Sequence, residues 1–191
     1  TKDFQTIQLP FHEFTNKWDP GSGDAVVTCA ENDEYCPQEE DKKSLYSIAV
    51  WGEGVKGKVD LQIQSVAAYG CGNSTTDSTT DSTSDVDVDA DAVASDDIVI
   101  EDFENPTHEW RTMNDPVMGG KSKSSVSVDD GMATFEGTCA IVPFLRAPGF
   151  ITMVTGDRRD TNDSFPDVSG CQGMALTLRS NVDYKGYYVS F

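Results

Sequence analysis

Between Gly72 and Asp97 the chain carries eight Asp and ten Ser or Thr, with no Lys, Arg or aromatic residue. Such a stretch cannot bury enough apolar surface to offset the entropy of ordering it, so it reads as a solvated linker. Any core must then come from residues 1–71 and 98–191, as two small units or as one sandwich whose halves meet across the linker. A hydrophobic share of 37% over 191 residues fits a chain in which one segment adds nothing to the core.

The flanking segments alternate. Val59, Leu61, Ile63, Ala67 and Tyr69 share one parity, and Asp60, Gln62 and Gln64 take the other, the pattern of a half-buried strand. Asp3 to Leu9 and Leu45 to Trp51 read as two further strands ahead of the linker. After it, Ile98 and Ile100, Val126 and Val128, Phe150 to Val154, Met174 to Leu178 and Tyr187 to Phe191 mark five short strands between Gly, Pro, Asn and Asp turns. No stretch carries a helical stripe. The expected fold class is all-β, an antiparallel β-sandwich or jelly roll.

A net charge of -19 disfavours nucleic acid and anionic lipid surfaces, both of which are gripped by clustered Lys and Arg. No apolar run approaches the roughly 18 residues of a membrane span. The opening residues do not read as a signal peptide, so a soluble chain without a targeting segment or membrane insertion is expected. The five cysteines stand at Cys29, Cys36, Cys71, Cys139 and Cys171; without a CxxC pair, and with two histidines in the chain, they argue against zinc. Cys29 and Cys36 bracket a short polar loop and could close a local disulfide. Cys139 could reach Cys171 between neighbouring strands, which leaves Cys71 as the odd thiol, able to join chains. Five buried thiols are the plainer alternative. Asn73 and Asn162 begin glycosylation sequons and tilt the compartment toward the oxidising secretory pathway.

Motifs for chemistry are weak. Gly52 to Gly57 matches GxGxxG after a candidate strand, but an alternating strand comes next where a dinucleotide site needs a helix, so a glycine-rich hairpin turn is expected. Gly119-Gly-Lys-Ser122 resembles the end of a phosphate loop, yet Asp115 stands where its first glycine belongs, and a carboxylate there repels phosphate. His12 and His108 sit beside no informative nucleophile and read as surface or core-edge residues. Asp19, Asp24, Asp102 and Glu104 lie in oxygen-rich turns and are weak calcium candidates, with solvated acidic turns as the plainer reading. Trp18, Trp51 and Trp110 could line a sugar-stacking groove, although tryptophans of a sandwich more often pack in its core.

The run IEDFEN from Ile100, the run WRTMNDPVMGGKS from Trp110 to Ser122, and Phe135-Glu-Gly137 resemble the opening of the NADH:ubiquinone oxidoreductase intermediate-associated protein 30 domain. Gly149-Phe-Ile151 resembles the family's next strand, and Gly173 to Ser180, with Tyr187, resembles the strand after that. Leu9 to Phe14, Leu45 to Gly54 and Val59 to Val66 resemble the family's second half, so the halves stand in reversed order. The resemblance implies a galactose-binding-like jelly roll, with residues 1–71 as the C-terminal half, 72–97 as the linker and 98–191 as the N-terminal half, of the next repeat or of one permuted domain. A flexible linker of about 26 residues spans on the order of 28 Å, enough for closure within one chain. Completion between molecules would instead propagate as a ring or filament. Further strands of the family pattern are missing between Phe191 and the start of the first segment, so an unfilled edge is expected.

The resemblance implies binding scaffolds for respiratory and photosynthetic complexes and no catalytic residue, cofactor or metal here, with calcium as the one candidate ion. The order of the halves, the sequons and the cysteines favour a non-catalytic secreted structural protein of tandem or strand-completed units, self-associating into a polymer or matrix. The alternatives are an assembly factor in a mitochondrion or plastid, and a glycan-binding module. Two tryptophans lining an open groove with polar groups at its base would favour the last.

Overall fold

A computed structural model describes residues 3–19, 23–72, 97–115, 119–155 and 165–191. Most of the acidic linker and both sequon asparagines, Asn73 and Asn162, lie outside the described residues.

The first segment supplies β1 (Gln5–Pro10), β2 (Ala49–Gly52) and β3 (Gly57–Tyr69). The second supplies β4 (Ile98–Glu101), β5 (Trp110–Asn114), β6 (Lys123–Asp129), β7 (Met132–Cys139), β8 (Ile141–Val142), β9 (Ala147–Pro148), β10 (Ile151–Thr155), β11 (Gly173–Ser180) and β12 (Tyr187–Ser190). One sheet runs β1-β11-β3-β7-β6, with β4 also paired to β3, and a second runs β12-β2-β10-β5. Their pairings are antiparallel, and the molecule is an all-β sandwich. Leu61, Ile63, Phe135 and Leu176 of the first sheet and Val50, Ile151 and Met153 of the second are buried in one apolar cluster. Truncating any one of these Leu or Ile side chains to Ala costs about 2–5 kcal/mol.

Both segments build both sheets. β11 lies between β1 and β3, and β2 lies between β12 and β10. Residues before and after the acidic linker thus complete each other within one chain, and no strand from a second molecule is needed to form either sheet.

Alternation in β3 breaks at one residue. Thr177 faces Ser65 and Leu178 faces Ile63, so Gln64 is the extra residue of a bulge. Parity inverts there: Val59, Leu61 and Ile63 are buried, and then Val66 and Ala68 rather than Ala67 and Tyr69. Strands β5 and β7 are not among those expected from the sequence. In β7 the buried Ala133, Phe135 and Cys139 alternate with Thr134, Glu136 and Thr138, a legible pattern diluted by Gly137 and three threonine or glutamate neighbours. Among the described residues there are also two short 3-10 turns and a five-residue helix, Glu39–Lys43; the helix buries nothing and is held by a capping box from Gln38 to Asp41.

Cys29 is bonded to Cys36, and Cys171 is bonded to Cys71 rather than to Cys139. Register explains the correction. Tyr69 faces Gly173, so Cys71 and Cys171 lie two residues beyond that pair, whereas Cys139 faces Gly57 at the other end of β3. The Cys139 thiol is free and buried and donates to the Gly149 carbonyl at 2.7 Å. Cys71 is therefore not a spare thiol for joining chains.

Candidate functional site

The two sheets meet on one side and part on the other. β5 and β6 lie against each other, whereas the edge strands β1 and β12 are separated by a groove of about 1480 Å³. Its floor is Leu61, Leu176 and Val50, and its walls carry Ile7 and Leu9 on one side and Val189 and Phe191 on the other. Ile7 remains 42% exposed, because β1 has β11 on one flank and, among the described residues, no strand on the other. Phe11, Phe14 and Phe191 form a cluster along this edge, with ring centroids 5.0 to 6.0 Å apart.

Strand β12 presents a second face to the same groove. Tyr187, Val189 and Phe191 pack on the core, so Tyr188 and Ser190 point the other way, where Trp51 is the register partner of Tyr188. The Trp51 indole donates to Ser190 Oγ at 2.9 Å and tilts against Phe150 with centroids 5.4 Å apart. The Tyr188 hydroxyl donates to Asp24 at 2.8 Å, and its pKa is pushed up to about 12, by burial first and then by the Asp24 carboxylate. Glu53 comes directly after β2, and partial burial holds its carboxyl above the usual range. A Cβ on Gly23 would stand 2.9 Å from Glu53 Oε2 and 3.4 Å from the Tyr188 ring, so glycine lets this loop close over both. Trp18, 56% exposed, belongs to the same loop, which the Trp18–Ala25 bridge and a hydrogen bond from Asp19 N–H to the Asp24 carbonyl hold shut.

Trp18 and Trp51 thus both line the groove, together with Glu53. Trp110 does not. It is 8% exposed, packs on Phe103 at 5.6 Å, and donates its indole N–H to Glu101 at 3.4 Å. Groove carboxylates include Asp3, Glu13, Asp41, Glu53 and Asp183, against the cations Arg179 and Lys185. Arg179 donates to Gln62 and lies over the Phe4 ring, and Lys185 pairs with Asp183. The groove is apolar at its floor, aromatic on one wall and anionic at its rim.

Of the calcium candidates, Asp19 and Asp24 share one closed loop, and Asp102 and Glu104 share another turn. Asp24 accepts from Tyr188, and the Asp102 carboxylate accepts the backbone N–H groups of Glu104 and Asn105 as a turn cap. Among the described residues no three His, Cys, Asp or Glu side chains converge on a metal position. Glu101, next to Asp102, is 2% exposed and accepts from the backbone of Phe103, Thr107 and His108 and from Trp110, which makes it a hub of the core. His108 is buried beside it and stacks on Phe165 at 4.2 Å, while His12 is exposed on a 3-10 turn. Gly52 to Gly57 joins strands of different sheets, so the expected hairpin is instead a crossing between layers. Ser122 is buried and accepts the Ala140 N–H.

Glu53 and Tyr188 are not among the site residues expected from the sequence. The alternation of Tyr187, Val189 and Phe191 could have placed Tyr188 on the opposite face, but nothing local shows that Trp51, Glu53 and Gly23 meet it there.

Among the described residues no helix is long and apolar enough to cross a membrane. Comparison with known proteins gives no match among curated proteins and none among solved structures. Residues 101–190, which include the NDPVMGGKS run, match the family model of Complex I intermediate-associated protein 30 (CIA30).

Proposed function

We propose that the chain is a non-catalytic binding scaffold of the complex I assembly type, a factor that docks on protein subunits of a respiratory membrane complex in a mitochondrion. The observation that carries this reading is the family match over residues 101–190, whose name ties the family to complex I intermediates. A large groove with apolar floor, aromatic wall and polar rim supports it as a site that takes a ligand by shape and charge. The match favours this reading over an extracellular matrix or polymer, and completion of both sheets within one chain removes the need for strand exchange that had suggested a filament. The two disulfides call for surroundings in which thiols oxidise.

The test is to express the tagged chain in cells, fractionate them, and run the membranes on native gels. Co-migration with partly assembled complex I, together with loss of the mature complex when the gene is deleted, supports the proposal. A chain found outside the organelle, with mature complex I unchanged by the deletion, overturns it.

One observation favours a second reading: Trp18 and Trp51 line the same groove with Glu53 at hand, an arrangement that suits stacking of a sugar ring. Binding to a glycan array that is lost in Trp51→Ala would support a carbohydrate-binding module instead.

A further inference from the structure

We infer that the free edge of β12 takes up an extended strand from a partner protein, one whose residues alternate between apolar and basic. This rests on the scaffold reading and names the partner chemistry of its groove. β12 pairs with β2 on one side and, among the described residues, with nothing on the other. Its four residues, Tyr187-Tyr-Val-Ser190, include neither Lys nor Pro, and its pairing with β2 runs without a bulge. A strand laid along it would gain main-chain hydrogen bonds and direct alternate side chains to opposite faces.

The two faces ask for different chemistry. Side chains turned toward the core side would enter the groove beside Val189, Phe191, Ile7 and Leu9, which favours Val, Ile or Leu. Side chains turned the other way would lie on the face of Trp51 and Tyr188, near Glu53. Burial already disfavours the charge on Glu53, and a Lys or Arg beside it would relieve that cost while resting on the aromatic wall. Rim carboxylates outnumber cations, and the chain carries -19 overall, so a basic segment is also drawn to the groove at a distance. A second copy fits less well: its own β12 brings no cation to Glu53, and two chains of this charge repel.

The test measures fluorescence anisotropy of labelled seven-residue peptides against the whole protein. The probes are an alternating Lys/Val peptide, a block isomer of the same composition, and an alternating Glu/Val peptide. The expected result is binding of the alternating Lys/Val peptide at least tenfold tighter than the block isomer, with no binding of the Glu/Val peptide. Glu53→Gln should weaken binding severalfold and flatten its salt dependence. Val189→Asp should abolish it, with near-ultraviolet circular dichroism as the fold control. Should Val189→Asp fail to fold, Glu53→Gln keeps the test decisive.

Equal affinity for the block isomer, or an unchanged affinity in Glu53→Gln, overturns the inference. So does a concentration-dependent doubling of mass that Val189→Asp prevents, since a second copy would then occupy the edge. If no peptide binds while the chain still co-migrates with assembly intermediates, the edge assignment fails and the scaffold reading stands. If the Lys/Val peptide binds as expected without co-migration, the edge assignment stands and the scaffold reading fails.

Discussion

Replacing both Cys71 and Cys171 by Ser removes a cross-link that closes a loop of sequence separation 100. In the chain-entropy account a loop of that length restricts the unfolded ensemble by about 4.7 kcal/mol at 25 °C, whereas the Cys29–Cys36 loop, of separation 7, restricts it by about 2.4 kcal/mol. The long-loop bond also ties the end of β3 to the start of β11, the central pair of the larger sheet, so its loss acts where the two segments join. Urea unfolding followed by tryptophan fluorescence measures both variants. With a slope of about 2 kcal/mol/M, the Cys71/Cys171 variant should unfold roughly 2 M earlier than the parent, and the Cys29/Cys36 variant roughly 1 M earlier. Equal losses in the two variants, or a loss under about 1 kcal/mol in the first, would refute the reasoning, because loop length would then not be what the long cross-link contributes.

Glu53→Gln should raise the melting temperature at neutral pH. Burial raises the folded-state pKa of this carboxyl above its unfolded value, so its favourable contribution is present below the unfolded pKa and is lost as pH rises through the folded one. Thermal melts of the variant should accordingly show a flatter pH dependence across that window. Glu101→Ala should destabilise by on the order of 3–5 kcal/mol by denaturant titration, since it strands buried donors on Phe103, His108 and Trp110, and each desolvated group left unpaired costs about 1–3 kcal/mol. Cys139 should resist a disulfide-exchange reagent in the native protein and react as one thiol per chain on unfolding, because burial pushes its pKa up and four of the five cysteines are bonded. Native reactivity at the rate of an exposed thiol would contradict that burial.

What the sequence determined by itself is what period and composition carry. Alternation in Val59 to Ile63, Met174 to Leu178 and Tyr187 to Phe191 marked strands, because opposite-facing neighbours are a property of the extended backbone and need no partner to be read. The same local logic reads the acidic stretch as a linker, and it placed a strand rather than a helix after the glycines that follow Trp51. The NDPVMGGKS run pointed to the family that the comparison found. Tertiary structure decided the rest. The register of β11 against β3 sets the bulge at Gln64, flips the buried parity to Val66 and Ala68, and brings Cys171 to Cys71 instead of Cys139. The packing of β12 on β2 put Tyr188 beside Trp51, with Glu53 near its ring, while Trp110 went to the core. The pairing of β11 with β3, the Cys71–Cys171 bond and the meeting of Tyr188 with Trp51 join residues a hundred or more positions apart, governed by which strands pair and in what register, and no local pattern encodes that choice.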